Sequence, residues 1–166
     1  MTTGLFIGRF QPFHKGHLQD IKEALKEVDE LIIAIGSSQF SHTEENPFSV
    51  DERIEMIEDT LIANDISDYT IFPIPDIGND SKWVEHIELI VPQFDVVFTG
   101  NELTEKLFRE KKYKVIKVKI IEGINGTTIR DMIVKNESWQ ELVPKEVSDF
   151  IKKINGIERI KKLKRR

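Results

Sequence analysis

Gly4-Leu-Phe-Ile-Gly-Arg-Phe-Gln-Pro-Phe-His-Lys-Gly-His17 is the stretch whose reading decides the fold. Leu5 to Ile7 is a short apolar run, as a buried strand requires. Gly8 ends it, and Pro12 and Gly16 punctuate a tight connection. Leu18, Ile21, Leu25 and Val28 then recur at spacings of three and four, which predicts an amphipathic helix beginning near His17. Arg9, His14, Lys15 and His17 therefore fall at a strand–loop–helix junction.

Such a junction is suited to phosphate. The first helical N–H groups have no backbone partner, and the macrodipole favours an anion there. Gly8 and Gly16 let backbone approach a ligand closely. The basic and titratable side chains add charge-assisted donors. The chain has no Gly-x-Gly-x-x-Gly and no Gly-Lys-Ser/Thr, so neither the dinucleotide nor the Walker pattern applies. Two histidines three residues apart also suit a metal-ligand pair or a solvated turn. The two glycines and two further cations at a βα junction favour phosphate.

The 166 residues suffice for one domain, 1–166, with a helical extension from about residue 144. The absence of cysteine excludes a disulfide framework, a Cys-based metal site and a thiol nucleophile. No apolar run approaches the roughly 20 residues that span a bilayer, and the start lacks a signal-peptide layout. A cytoplasmic protein without a membrane partner is expected. Net charge is −5, but Lys152, Lys153, Arg159, Lys161, Lys162, Lys164, Arg165 and Arg166 make the end basic. A basic tail binds nucleic acid or simply suits a helix C-terminus. The acidic body favours the second, so no nucleic-acid partner is expected.

Further along, Leu31–Ile35 is a second apolar strand, continuous rather than alternating, as in a parallel sheet covered on both faces. Residues 37–48 form a long polar loop of the kind that carries function. Ser49 and Glu52 make a capping box for a helix that turns Ile54, Ile57 and Leu61 inward. Strands are expected at Tyr69–Ile74, Phe94–Thr99 and Tyr113–Val118. Helices are expected from Ser81 to about Val91, from Glu102, from Gly126, from Pro144 and over 157–164. Five alternations predict an α/β fold, a doubly wound parallel five-stranded sheet. Loops 8–17, 36–48, 75–81, 99–101 and 119–127 all follow strand C-termini, where such sheets bind ligands.

Ile124-Asn-Gly-Thr-Thr-Ile-Arg130 is the second motif. Gly126 precedes two hydroxyls, Thr127 and Thr128, placed to cap a helix or hold phosphate. Arg130 opposes the helix dipole, a small cost that makes sense if an anion is present. By itself the segment reads first as an ordinary capped helix with a surface arginine; paired with the first motif it reads as a phosphate site.

The first motif resembles the (H/T)xGH signature of the nucleotidylyltransferase superfamily, and residues 124–130 resemble its second signature. Gly-Arg-Phe-Gln-Pro-Phe-His-Lys-Gly-His is most similar to the archaeal-type nicotinamide-nucleotide adenylyltransferases. Residues 36–53, 73–84, 94–101, 142–144 and 155–160 match that family too, so the resemblance runs nearly end to end. It implies a Rossmann-like nucleotidylyltransferase fold with C-terminal helices. It also implies transfer of AMP from ATP to nicotinamide mononucleotide, giving NAD and pyrophosphate without a covalent intermediate. His14, His17, Arg9 and Arg130 are then the catalytic residues. Gly8, Phe10, Lys15, Gly16, Gly100, Asn101, Asn125, Gly126, Thr127 and Thr128 complete the ATP side. Ser37, Asp76, Asp80 and Trp83 form the acceptor side, with Trp83 stacked on the pyridinium ring. The resemblance further implies Mg²⁺ travelling with ATP, no dedicated metal site, and a homo-oligomer, with a hexamer as one form.

Two positions depart from the family pattern: Asn125 stands where serine is usual, and Asp80 where asparagine is usual. A carboxylate only accepts hydrogen bonds, whereas an amide also donates, so Asp80 bears on the choice between amide and acid acceptors. The alternatives are another acceptor (nicotinic acid mononucleotide, FMN or phosphopantetheine) and a nucleotide-binding regulator without turnover.

Overall fold

Each of the expected apolar runs becomes a strand of one parallel sheet in a computed structural model that describes residues 1–165. The strands are β1 (Thr3–Gly8), β2 (Glu30–Ile35), β3 (Tyr69–Pro73), β4 (Val96–Thr99) and β5 (Lys114–Lys117). The helices are α1 (Lys15–Glu27), α2 (Val50–Ala63), α3 (Trp83–Ile90), α4 (Glu102–Glu110), α5 (Gly126–Val134), α6 (Lys145–Lys153) and α7 (Gly156–Lys164). Arg166 lies outside the described residues. The chain divides into two compact units. Met1–Arg9, Gln19–Ser38 and Asp68–Ile120 make the first; Phe10–Leu18, Gln39–Ser67 and the chain from Ile121 make the second.

The first unit holds the whole sheet, in the order β3-β2-β1-β4-β5. Strand order reverses between β1 and β4, where Phe6 lies opposite Ile33 on one side and Phe98 on the other. That reversal is the position at which doubly wound sheets open a crevice. Leu5, Ile32, Ala34, Val84, Ile87, Val97 and Phe108 are buried together as its core. Phe94 and Tyr113 stack at 4.8 Å, with Phe108 packed edge-on against both.

β4 is two residues shorter than the apolar run at its start suggests. Asp95 turns out of the ladder, its N–H bonding the Thr3 carbonyl and its carboxylate accepting the Thr3 N–H, both at 2.8 Å. β5 likewise starts after Tyr113, whose N–H closes the end of α4 on the Phe108 carbonyl. α3 is shorter than expected because Asp80–Lys82 form a 3₁₀ turn, capped by Asn79 rather than Ser81.

In the second unit the capping box is present. The Ser49 hydroxyl accepts the Glu52 N–H, and the Glu52 carboxylate accepts the Ser49 N–H. α2 buries Met56, Ile57 and Leu61, while Ile54 is only half-buried. Its buried face also carries Arg53, whose guanidinium donates to the carbonyls of Ser49 and Phe40. Phe13, Phe48, Trp139, Val147 and Ile151 are buried in the same unit. Among the described residues no helix is long and apolar enough to cross a membrane.

Candidate active site

In the first unit a cavity of about 490 Å³ opens beyond the strand C-termini. Ile7 and Gly8 at the end of β1, Gly36 after β2 and Thr99 at the end of β4 line it. The first parts of four predicted loops join them, through Arg9, Ser37, Asp76 to Asp80, and Asn101. Trp83 lines it as well, half-buried, its ring 5.8 Å from that of His86. The buried Ser37 sits in the left-handed region (φ 50) and donates its hydroxyl to Asp76 Oδ2 at 2.7 Å. A serine held at positive φ costs backbone energy, and such outliers cluster at functional sites. The cavity thus gathers Arg9, Ser37, Asp76, Asp80 and Trp83, and Asn101 reaches it from the ATP set.

Two polar side chains on its wall are already engaged. Asn79 Oδ1 accepts both the N–H and the hydroxyl of Ser81, and Asn101 Oδ1 caps α4 by accepting the Thr104 N–H at 2.9 Å. Gly100 stands beside Val118, 3.2 Å from where a Cβ would meet it.

In the second unit the helix begins at Lys15, two residues earlier than the apolar spacing predicts. His14 and His17 explain the early start. The His14 N–H donates to His17 Nδ1 at 3.1 Å, and the His17 N–H donates to His14 Nδ1 at 3.3 Å. The two imidazoles cap the helix reciprocally, as side-chain acceptors do at orphan N–H groups. An Nδ1 that accepts cannot carry the proton, so both rings are Nε2–H tautomers. Burial lowers the His14 imidazole to about 4, and burial together with its neighbour holds His17 well below the ordinary value. At neutral pH the pair therefore consists of two uncharged Nε2–H donors. Gly16 is required by this geometry, since a Cβ there would sit 2.9 Å from the His14 ring. Phe10 is buried edge-on against His17 at 4.7 Å, and Phe13 stacks on it at 5.4 Å. Lys15 is exposed at the head of the helix.

The second motif is capped by Asn125, not by its threonines: Asn125 Oδ1 accepts the Thr128 N–H at 2.8 Å. Asparagine ranks with serine as an N-cap, so this departure leaves the local structure intact. Arg130 turns back from the start of α5, Nη1 donating to the Gln11 carbonyl at 2.7 Å and Nη2 to Thr127 Oγ1 at 3.4 Å. Gly126 makes room, because a Cβ there would lie 3.0 Å from that same carbonyl.

Gln11 is the residue that the sequence reading missed. Its buried amide donates to the Phe48 carbonyl and accepts the Phe48 N–H, both at 2.9 Å. It ties the histidine loop to the loop before α2. The available signal was a lone polar side chain among Phe10, Pro12 and Phe13, which if buried must be paired. Among the described residues no three imidazole or carboxylate side chains gather as a metal site.

A family model described as cytidylyltransferase-like matches residues 5–145. The nicotinamide-nucleotide adenylyltransferase of Pyrococcus furiosus is 46% identical over 168 residues, covering 98% of this chain and 89% of that protein. That of Thermococcus sibiricus is 48% identical over 164 residues, covering 96% and 88%. Among solved structures, a bifunctional NMN adenylyltransferase/ADP-ribose pyrophosphatase from Francisella tularensis, complexed with AMP and a manganese ion, superposes with a TM-score of 0.79. It is 25% identical and matches 98% of this chain, which spans about half (51%) of that protein. With both motifs inside the matched region and the identity sustained from end to end, the chain belongs to the nicotinamide-nucleotide adenylyltransferases.

Proposed function

We propose that the protein transfers AMP from ATP to nicotinamide mononucleotide, forming NAD and pyrophosphate. An oxygen of the mononucleotide phosphate forms a bond to the α-phosphorus. The bond from that phosphorus to the α–β bridging oxygen breaks, and pyrophosphate leaves with the electron pair. The attacking phosphate is already ionised near neutral pH, so no general base is required. The work is alignment and stabilisation of charge.

The observation that carries this reading is the reciprocal capping of His14 and His17, which commits both Nε2–H groups to donation. In the proposal these donors hold the α- and β-phosphate oxygens and follow the charge that develops there. Arg9 and Arg130 neutralise the triphosphate, supported by Lys15. The backbone around Gly8, Phe10, Gly16 and Asn125 to Thr128 cradles it, with Gly100 and Asn101 on the adenosine side. Ser37, Asp76, Asp80 and Trp83 hold the mononucleotide, and Trp83 stacks on its cationic ring.

Mg²⁺ arrives with the nucleotide in this scheme. A hard cation prefers oxygen ligands, and the triphosphate supplies them without a carboxylate cage. Bound there, the ion offsets charge on the leaving pyrophosphate. A single catalytic domain over 1–166, a cytoplasmic location and a homo-oligomer, a hexamer among the forms, belong to the same reading and rest on the family resemblance. The test is pyrophosphate release from ATP and Mg²⁺ with nicotinamide mononucleotide, FMN or phosphopantetheine. Turnover with the mononucleotide alone is expected. Silence with it, or preference for another acceptor, overturns the proposal.

A further inference from the structure

We infer that Gln11 is a positioning residue, one that sets the guanidinium of Arg130 through its own backbone carbonyl. The inference rests on the triphosphate role proposed above for Arg130 and adds what holds that arginine in place.

Gln11 is buried, 4% exposed, in a loop whose neighbours Phe10, Pro12 and Phe13 are apolar and buried too. Its Nε2 donates to the Phe48 carbonyl and its Oε1 accepts the Phe48 N–H, both at 2.9 Å. An amide donates and accepts at once, which neither a carboxylate nor an ammonium can do. With both amide atoms on Phe48, the side chain addresses the protein and not a substrate. Phe48 is itself a fixed partner. Its ring is fully buried, and Arg159 Cζ stands 6.0 Å from the ring centroid. Arg159 Nη1 also holds the preceding carbonyl, that of Pro47, at 3.1 Å. The amide therefore anchors residue 11 to a backbone that α7 already secures.

The carbonyl of the same residue is where Arg130 ends. Nη1 donates to it at 2.7 Å, while Nη2 donates to Thr127 Oγ1 at 3.4 Å. A guanidinium is planar and its donors form a rigid fork, so bonds at two nitrogens set its orientation. The carbonyl is neutral. It orients the group and leaves the positive charge for an anion, which a carboxylate in its place would offset. Gly126 gives the arginine its path, since a Cβ there would lie 2.8 Å from Nη1 and 3.0 Å from the Gln11 carbonyl oxygen. If the amide lets go of Phe48, the carbonyl shifts and the guanidinium follows it or loses the bond. A misplacement of about 1 Å, even far from the reacting atoms, is enough to lower activity.

The test titrates ATP with Mg²⁺ calorimetrically into the full chain without an acceptor, and measures KM for both substrates by pyrophosphate release. Two variants disturb the arginine by different routes. Gln11→Met keeps length and apolar packing but removes both bonds to Phe48. Gly126→Ala spares those bonds and puts a methyl between Arg130 and the carbonyl. Each is expected to weaken ATP binding at least fivefold, with KM for the mononucleotide within twofold of wild type. In an Arg130→Ala background each should change ATP binding by less than twofold, because the group being positioned is gone. A methyl that struck the nucleotide itself, or a merely structural Gln11, would weaken binding as much with Arg130 absent, and that result overturns the proposal. So does ATP binding within twofold of wild type in either folded variant, or in Arg130→Ala. Gly126→Ala decides alone if Gln11→Met does not fold. A chain that turns over no acceptor overturns the transferase reading instead, and the same non-additive loss of ATP binding would still support the positioning.

Discussion

The imidazoles of His14 and His17 stack with centroids 3.5 Å apart, each Nδ1 accepting the other residue's backbone N–H. The arrangement uses Nδ1 of each ring for the fold, which makes Nε2 the protonated nitrogen. Replacing His17 by alanine removes both nitrogens and the ring packed on Phe10 and Phe13. His17→Asn separates them, because its Oδ1 stands near the place of Nδ1 while nothing replaces Nε2. The expected result is a folded protein, destabilised by about 1–3 kcal/mol for the lost ring, with kcat lowered at least tenfold. A kcat within twofold of wild type would remove His17 from the transition state.

Neutral imidazoles have a signature in solution. Ring-proton NMR should show His14 titrating near pH 4, far below the ordinary 6.5, and His17 shifted in the same direction. Adding ATP without an acceptor should raise both midpoints, since a nearby anion favours the protonated form. Midpoints near 6.5 in the free protein would contradict the burial argument, and midpoints indifferent to ATP would contradict triphosphate binding at the pair.

Asp20 works in the opposite sense. It lines a second cavity, of about 190 Å³, with Ala24, Phe98 and Ile116, and burial raises its carboxyl to about 7. Between pH 3.8 and 7 the folded state holds a proton that the unfolded state has released, so this group's contribution to stability falls as pH rises. For His14 the unfolded state binds the extra proton between pH 4 and 6.5, so its contribution falls as pH drops. Asp20→Asn removes the first effect. At pH 8 it should stabilise the protein by on the order of 1 kcal/mol after allowance for solvent screening, or about 2–4 °C in Tm. Near pH 4 the gain should vanish. With the opposing term gone, the variant's melting temperature should also fall more steeply than that of the wild type from pH 6.5 to 4. A gain independent of pH would assign the effect to packing.

What the sequence made legible follows from the kind of interaction involved. Strands came through because Leu31–Ile35 and Val96–Thr99 are continuous apolar runs. The Ser49–Glu52 box came through because its two bonds are local in sequence. Strand order was not legible, since parallel neighbours such as β1 and β4 are joined only through long connections. Helix starts shifted where side chains took over capping, as with His14 at α1, and Asn125 displaced the threonines expected to cap α5. The candidate site residues lie on short motifs that follow strand ends, and Gly16 and Gly126 are explained by what a Cβ would strike. Gln11 was hidden because its partner, Phe48, is 37 residues away. Asp20 was hidden because its raised carboxyl depends on burial that no local pattern encodes.

Trp83 offers the simplest separation of the two substrates. If it stacks on the pyridinium, Trp83→Ala should raise KM for the mononucleotide about thirtyfold, as loss of a desolvated cation–π contact near 2 kcal/mol implies. KM for ATP should move by less than twofold. Equal changes in both would make the half-buried ring a packing element of α3 and nothing more.

Glu52 and Arg159 join α7 to the start of α2. Nη1 lies 2.6 Å from Oε1 and Nη2 2.9 Å from Oε2, with side chains 18% and 19% exposed. Nη1 also donates to the Pro47 carbonyl at 3.1 Å, beside the Phe48 backbone that Gln11 holds. Burial works to raise the Glu52 carboxyl, but hydrogen bonds from Arg159 and Ser49 and the charge of Arg159 leave it below its usual value. Lysine cannot reproduce a two-pronged guanidinium, so Arg159→Lys should lose most of what Arg159→Ala loses, on the order of 2 kcal/mol. A double-mutant cycle with Glu52→Gln should give a coupling of about 1–2 kcal/mol, larger than that of the exposed Lys145–Asp149 pair. The sign with pH is fixed by the lowered carboxyl. The pair's contribution is present above the ordinary 4.5 and is lost as pH falls through the folded value. The deficit of Arg159→Ala should therefore shrink in acid. A coupling no larger than that of the exposed pair would mean that α7 is held by Gly156 and Ile160 instead. Those residues are buried, and a Cβ at Gly156 would stand 3.3 Å from the Phe48 ring.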